Sequence, residues 1–221
     1  EFIAESINDK GIFKAIFMGG FPGAGKSYTA TKVTSGSIQP RIVNTDRVIE
    51  YFGKIGKTDL SGSPIESALL DKSLHLTKVT LFNYLNGMLP LIIDSTSSNS
   101  SNLILRAGAL ESLGYDLGMV FVNTDLDVAI ERIKKRERKV PEDFIREVYG
   151  KVQKLKPFYK SKFQFFIEVD NNEGELTETV ILSAFKKVTG FYSEEIKNPL
   201  GIEIVDKMKK EKEKYLIPNI K

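Results

Sequence analysis

The residues best suited to chemistry stand near the amino terminus and have the types and spacing that bind phosphate. Residues 20–27 read Gly-Phe-Pro-Gly-Ala-Gly-Lys-Ser, which fits the pattern Gly, four residues, Gly, Lys, Ser or Thr. Such glycines let backbone N–H groups converge on phosphate oxygens, while the lysine reaches the terminal phosphates and the hydroxyl binds Mg²⁺. The pattern predicts an ATP site with a metal ligand at Ser27. The predicted nucleotide-binding residues are Gly20, Gly23, Ala24, Gly25, Lys26, Ser27 and Tyr28.

A carboxylate after the second apolar run is suited to acid–base chemistry. Asp46 follows Val43 and Asn44, where a predicted strand ends. At that place a carboxylate could accept the proton of an acceptor hydroxyl and align it for attack on phosphorus. The alternative is that Asp46 caps a helix over residues 47–52. The neighbouring Arg47 is a candidate substrate-binding residue.

Asp94 is a second carboxylate at the end of an apolar run, residues 89–94. Because strand ends beside a phosphate loop face the bound ligand, we expect Asp94 near the metal, where it would hold water ligands or Ser27. The alternative is a cap for the turn at residues 95–102. Thr96 in that turn is a candidate for contact with the acceptor.

Residues 131–140 carry six basic and two acidic side chains. Within them Arg132 and Arg136 are four positions apart and so share one helix face. A mobile basic lid that closes over the phosphates would supply the cations that phosphoryl transfer needs. The alternative is a solvated helix end whose basic side chains complement the helix dipole. Arginines favour the lid, because the guanidinium fork matches phosphate.

Strand-length apolar runs alternate with longer periodic segments along the chain, which predicts an α/β fold with a parallel sheet covered by helices. In such a sheet, ligands bind beyond the carboxyl ends of the strands. The predicted strands are Phe13–Met18, Arg41–Asn44, Leu89–Asp94, Leu117–Asn123 and Phe163–Asp170. The predicted helices are Lys26–Val33, Pro64–Asn86, Asn102–Leu113, Leu126–Glu137, Pro141–Leu155 and Leu176–Thr189.

Composition excludes several classes of protein. The chain has 221 residues, and its 32 Lys and Arg against 29 Asp and Glu give a net charge of +3, which is too small for a generally basic nucleic-acid binder. Without cysteine it has no disulfide, thiolate nucleophile or cysteine-based metal site. No apolar run is long enough to span a membrane, so we expect a cytoplasmic protein without a membrane partner. We expect a core over residues 1–172 and, over residues 173–221, a helical extension that is packed on the core or forms a tail.

The order of these motifs resembles the zeta-toxin and polynucleotide-kinase group of P-loop kinases, and in particular the zeta-toxin-like proteins of large bacteriophages. The resemblance spans about residues 12–172 and is carried by the phosphate loop, Asn44-Thr45-Asp46, Leu91-Ile92-Ile93-Asp94-Ser95-Thr96 and residues 123–142. It implies an ATP-dependent, Mg²⁺-dependent kinase with five parallel strands and an arginine lid. By position it gives the general-base role to Asp46, the nucleotide and metal roles to Lys26 and Ser27, and the lid roles to Arg132 and Arg136.

The sequence indicates the nucleotide more specifically than it indicates the acceptor. Polynucleotide 5′-hydroxyl kinases of this group carry an arginine three residues after the catalytic aspartate, and this chain has Ile49 there. Related phage kinases phosphorylate hydroxymethyluracil in DNA, and zeta toxins phosphorylate UDP-N-acetylglucosamine. A hydroxyl on DNA, another nucleic acid or a nucleotide is the preferred acceptor. The alternative acceptor is a nucleotide sugar. The alternative to a kinase is an ATP-binding regulatory protein without catalysis.

Overall fold

The computed structural model describes residues 10–34, 36, 38–56, 67–94, 97–135, 140–172 and 178–215, with side chains described as far as residue 212. Strands and helices alternate through most of these ranges. The strands are β1 (Lys14–Gly19), β2 (Arg41–Val43), β3 (Leu91–Asp94), β4 (Asp116–Asn123) and β5 (Phe165–Asp170). The helices are α1 (Lys26–Val33), α2 (Thr45–Gly56), α3 (Ser67–Asn86), α4 (Ser100–Glu111), α5 (Leu126–Lys134), α6 (Glu142–Lys162), α7 (Glu178–Ser193) and α8 (Pro199–Tyr215).

The five strands form one parallel sheet in the order β2-β3-β1-β4-β5, which confirms the predicted α/β architecture. Every residue of β1 and β3 is buried, as expected for strands that carry helices on both faces of a parallel sheet. Because β1 lies at the centre of the sheet, the loop that follows it is flanked by the ends of β3 and β4. This order places the phosphate loop in the middle of the carboxyl edge.

The helices pack in pairs around this sheet. α1 packs against α7, α2 against α3, and α5 against α6, while α4 lies on β4. The core between sheet and helices is apolar and includes Ile16, Ile92, Val120, Ile133 and Val152. No helix in the described ranges has the length and apolar character needed to cross a membrane.

Several helices differ in extent from the sequence prediction. α6 continues to Lys162 rather than ending at Leu155, although Pro157 lies inside it and lacks a backbone donor. The extra turns bury Tyr159 completely, which offsets the cost of the proline. α7 continues to Ser193 rather than ending at Thr189, and the expected helical extension includes α8, a helix of 17 residues in which Val205 is buried. Residues 64–66, 136–137 and 176–177 of three predicted helices lie outside the described part of the chain.

The two carboxy-terminal helices are joined to the amino edge of the sheet by a buried ion pair. The Lys14 ammonium, 1% exposed, donates to the Asp116 carboxylate at 2.7 Å and to the Glu195 carbonyl at 2.9 Å. The same carboxylate accepts from the backbone N–H groups of Lys197 and Asn198. The Asn198 side chain in turn caps the first turn of α8. The connection between α7 and α8 is thus held on the edge of the sheet opposite to the phosphate loop.

Candidate active site

The phosphate loop joins β1 to α1 and is held in shape by bonds from its surroundings. The buried Ser97 hydroxyl accepts from the Gly20 N–H at 3.2 Å, and the Tyr159 hydroxyl donates to the Ser97 carbonyl at 2.7 Å. Burial raises the pKa of Tyr159 to about 12, so this hydroxyl is a neutral donor at physiological pH. The loop is therefore supported by α6 and by the segment that follows β3.

α1 begins at Lys26, directly after the loop. The preceding residue, Gly25, has no side chain to cap the helix, and the first turn contains no acidic residue. The first N–H groups of α1 and its positive dipole end therefore suit an anion. The Lys26 ammonium lies over the loop and donates to the Phe21 carbonyl at 3.2 Å. Glycine, lysine and helix end together form a cradle for phosphate, as the sequence pattern predicted.

Two loop glycines are required by close packing as well as by backbone conformation. Gly23 has φ +85°, and a Cβ there would lie 2.6 Å from the Ala129 carbonyl oxygen of α5. Gly25 has φ +90°, and a Cβ there would overlap the amide nitrogen of Asn171. Any other side chain at these positions would push the loop away from α5 and from the end of β5.

Ser27, Asp94 and Asn44 form a hydrogen-bonded cluster on the other flank of the loop. The Asp94 carboxylate oxygen Oδ2 accepts from the Ser27 hydroxyl at 2.7 Å and from the Asn44 amide at 2.6 Å. Asp94 and Asn44 are 8% and 9% exposed, so these bonds are shielded from water. The helix after β3 is capped by Asn99 and not by Asp94, because the Asn99 side chain accepts from the Asn102 N–H.

This cluster fits the requirements of Mg²⁺. Mg²⁺ prefers oxygen ligands and is usually bound by one or two protein groups together with water and nucleotide phosphates. Ser27 and Asp94 provide a hydroxyl and a carboxylate at the end of the phosphate loop. Within the described ranges no group of three or more His, Cys, Asp or Glu side chains could hold a metal ion. One hydroxyl and one carboxylate match a metal that takes its other ligands from water and nucleotide phosphates.

Asp46 lies in the first turn of α2, at the carboxyl end of β2, with its side chain exposed. The alternative that Asp46 caps this helix is wrong, because the helix begins at Thr45 and the Asn44 side chain accepts from the Arg47 N–H at 3.3 Å. Asn44 is therefore the capping residue, which leaves the Asp46 carboxylate without a capping role. Its role as a general base remains a prediction. The Arg47 guanidinium reaches across to α1 and donates to the Thr31 hydroxyl at 3.3 Å.

A cavity of about 170 Å³ opens beside these residues, between β2, α2 and α3. Arg47 and Tyr51 come from one face of α2, and Thr77 and Thr80 from α3. The remaining lining is Ile42, Val43, Asn44, Val48 and Leu76. A cation, an aromatic ring, two hydroxyls and an apolar floor suit a small polar molecule that contains a ring.

Arg132 occupies the opposite flank of the loop. It lies on α5, whose Ala129, Ile130 and Ile133 are buried in the core. Its guanidinium donates to the Asn171 carbonyl at 2.9 Å. Arg132 therefore lies at the rim of the site, and its role in a lid remains a prediction.

The remaining predicted site residues are Thr96, Arg136 and Tyr28. Thr96 and Arg136 lie outside the described residues, so their predicted roles are untested. The Tyr28 side chain is 47% exposed on α1, and the Lys32 ammonium lies 5.5 Å from its ring centroid. Its backbone N–H belongs to the first turn of α1, and its role in nucleotide binding remains a prediction.

Sequence reasoning missed several polar residues that support the loop. Thr124 and Asn171 both donate to the Ala24 carbonyl, at 3.0 and 2.7 Å, and Ser97 holds Gly20. Each comes directly or shortly after a strand, at the same edge of the sheet as the loop. That position was the available signal, but these residue types are also common in turns.

Known proteins are similar to this chain in family and fold. The sequence model described as "Zeta toxin" matches residues 8–177. No curated protein sequence gives a match. One similar solved structure is a kinase candidate from Chloroflexus aurantiacus J-10-fl, with 14% identity and a TM-score of 0.57 over 80% of this chain and 97% of that chain. Another is a sugar kinase from Janibacter sp. HTCC2649, with 15% identity and a TM-score of 0.51 over 82% of this chain and 99% of that chain. The Pnkp1/Rnl/Hen1 RNA repair complex is similar over 73% of this chain and 50% of that chain (19%, 0.54). At these identities the structures establish the fold alone.

Proposed function

This chain belongs to the zeta-toxin family and has the fold of P-loop kinases, and from that premise we propose that it is an ATP-dependent, Mg²⁺-dependent kinase. It transfers the γ-phosphate to a hydroxyl group on a nucleic acid or a nucleotide. The observation that carries the proposal is the contact between Ser27 and Asp94 at the end of a complete phosphate loop, with Asp46 exposed at the same sheet edge.

The nucleotide binds along the phosphate loop. The backbone N–H groups of the loop and of the first turn of α1 surround the phosphates, and the Lys26 ammonium exchanges the Phe21 carbonyl for phosphate oxygens. Arg132 adds a guanidinium from the rim of the site. Ser27 and Asp94 are the residues that would hold Mg²⁺, which when bound neutralises charge on the phosphates.

Asp46 orients the acceptor and accepts its proton. As the acceptor oxygen forms a bond to the γ-phosphorus, the bond from that phosphorus to the bridging oxygen breaks and ADP leaves. The proton of the attacking hydroxyl passes to the Asp46 carboxylate. Asp46 is exposed at the carboxyl end of β2, where an acceptor can approach it.

The cavity next to Asp46 supports an acceptor that resembles a nucleotide. Arg47 matches a phosphate group, and Tyr51 offers an aromatic face to a base. Both side chains are exposed, so a long strand could also reach them. Hydroxymethyluracil in DNA, as in base modification by large bacteriophages, is one acceptor of this kind.

A second candidate acceptor is UDP-N-acetylglucosamine. It is favoured by the family match, which extends through the phosphate loop, Asp46, Asp94 and Arg132. The cavity chemistry fits this molecule too, because it also carries phosphates and a base. The two candidates differ in the group that is phosphorylated and not in the predicted mechanism.

Transfer of labelled γ-phosphate tests the proposal. The protein is incubated with Mg²⁺, labelled ATP and, separately, 5′-hydroxyl oligonucleotides, hydroxymethyluracil DNA and UDP-N-acetylglucosamine. We expect label on one nucleic-acid acceptor and a loss of about 10²–10⁴ in rate in Asp46→Asn, because the general base is removed. Binding of MgATP should be unchanged in that variant.

Each other outcome has a definite reading. Label on UDP-N-acetylglucosamine supports the second candidate. Full transfer by Asp46→Asn contradicts the general-base role. Tight MgATP binding with no transfer to any of these acceptors and only background hydrolysis supports a regulatory ATP-binding protein and contradicts the kinase proposal.

A further inference from the structure

Asn171 is a polar residue buried at the carboxyl end of β5, with 5% of its surface exposed. Its side-chain amide donates to the carbonyl of Ala24, inside the phosphate loop, at 2.7 Å. Its backbone N–H continues the sheet by donating to the Asn123 carbonyl at 2.8 Å. Burial of an amide is costly unless its groups are bonded, and here backbone and side chain both are.

The same residue contacts Arg132. The Arg132 guanidinium donates to the backbone carbonyl of Asn171 at 2.9 Å. Gly25 leaves the room for this arrangement, because a Cβ there would overlap the Asn171 amide and lie 3.9 Å from Arg132 Nη1. One residue therefore joins the phosphate loop, through its side chain, to the cation on the rim, through its backbone.

The Ala24 carbonyl keeps a hydrogen-bond partner when this side chain is removed, because it also accepts from the buried Thr124 hydroxyl at 3.0 Å. The backbone carbonyl that accepts from Arg132 is present whatever the side chain. What the Asn171 amide adds is a second acceptor for the guanidinium, its side-chain oxygen at 3.5 Å, and a fixed distance between both acceptors and the loop.

From these contacts we propose that Asn171 is a positioning residue, which sets the Arg132 guanidinium against the phosphate loop for the bound nucleotide. The proposal rests on the proposed function, since it assumes that Arg132 contacts the phosphates of MgATP. It differs from a purely structural role in one respect. If Asn171 acts through Arg132, its side chain has no effect on the nucleotide once the guanidinium is gone.

A double-mutant cycle on MgATP affinity tests this without knowledge of the acceptor. Calorimetric titration with MgATP is made on the wild type, Asn171→Ala, Arg132→Ala and the double variant. We expect each single change to weaken binding about tenfold, as for loss of a hydrogen bond to a charged group. The double variant should also be weakened about tenfold rather than about a hundredfold, because coupled residues are not additive.

Asn172→Ala is the matched control. Its side chain accepts from the Asp125 N–H at the start of α5, so this variant loses a hydrogen bond at the neighbouring position without touching the phosphate loop. It should bind MgATP as the wild type does. If Asn171→Ala does not fold, judged by circular dichroism, the cycle is made with Asn171→Ser, which adds no charge and whose side chain is too short to reach the Ala24 carbonyl.

Losses that multiply to about a hundredfold overturn the positioning role. So does wild-type affinity in Asn171→Ala, or an equal loss in Asn172→Ala. Failure of the proposed function looks different, because then the wild type itself binds no MgATP and the premise of the inference is lost with it.

Discussion

The two flanks of the phosphate loop are built differently. On the flank of β4 and β5, polar side chains are buried and bonded to the loop: Thr124 is 1% exposed and Asn171 5% exposed. On the flank of β2, Asn44 is also buried and bonded, but the first residues of α2, Asp46 and Arg47, are exposed. The nucleotide flank is thus held by bonds within the protein, whereas the acceptor flank is open to solvent at Asp46 and Arg47.

The helices behind the two flanks show the same difference. α5 buries three of its nine residues against the core and packs on α6. α3, which borders the acceptor cavity, exposes Leu76, Val79 and Phe82. A fixed nucleotide site on a rigid scaffold allows the acceptor side to vary without loss of the fold. We expect nucleotide binding and transfer to the acceptor to divide between the two flanks in the same way.

Lys26→Ala should have the largest effect, because Lys26 belongs to the loop that both flanks share. We expect MgATP affinity and transfer rate each to fall by about 10²–10³, as for loss of a charged donor to phosphate. Calorimetry and labelled transfer measure the two quantities. A loss of rate with unchanged affinity would instead mean that Lys26 stabilises the phosphates only in the transition state.

Asp94→Asn should weaken the binding of ATP with Mg²⁺ but not the binding of ATP without metal. The variant keeps the side-chain shape but replaces the carboxylate that accepts from Ser27 and Asn44. We expect about a 10–100-fold loss of Mg²⁺-dependent ATP affinity, the range found when a metal site loses a supporting group. Affinity for ATP in EDTA should stay the same. An equal loss in both titrations would mean that Asp94 only holds the loop in shape.

The same division explains what the sequence could predict. The sheet and α1 followed from apolar runs and one sharp motif, and the structure confirms them. The support from Asn171 could not be predicted, since it joins residues 147 positions apart whose types are ordinary in turns. The burial of Val205 in α8 could not be predicted, because the many lysines of that segment are typical of a solvated helix end. A cap for α2 was predicted only as the alternative role of Asp46, although Asn44 is an equally good capping residue and lies nearer the strand.

Substitutions of Asn44, on the acceptor flank, test whether its cap of α2 and its bond to Asp94 have separate effects. Its amide nitrogen bonds to Asp94 and its amide oxygen caps α2, so it joins the predicted metal site to the helix of Asp46. Asn44→Ala should lose both bonds. It should lower the free energy of unfolding by about 1 kcal/mol and the rate of phosphoryl transfer about tenfold. Asn44→Ser keeps a capping hydroxyl that is too short to reach Asp94. It should therefore lose less stability than Asn44→Ala and show the same loss of rate.

Urea unfolding measures the free energy of unfolding, and transfer of labelled phosphate measures the rate. If Asn44→Ser transfers phosphate like the wild type, the bond to Asp94 has no part in positioning the metal. Equal losses of stability in both variants would show that the cap is not what Asn44 contributes to the fold.

Tyr159→Phe should have the smallest effect and should act on neither flank, because Tyr159 supports the loop from beneath through Ser97. Loss of this buried bond should lower the free energy of unfolding by about 1 kcal/mol and leave MgATP affinity unchanged. Alkali gives a second test. Burial raises the pKa of Tyr159 to about 12 from its ordinary value of 10.0, so its contribution is complete below pH 10 and is lost as the pH rises through 12. The stability difference between wild type and variant, measured by urea unfolding, should therefore shrink across that interval; a constant difference would contradict the raised pKa of Tyr159.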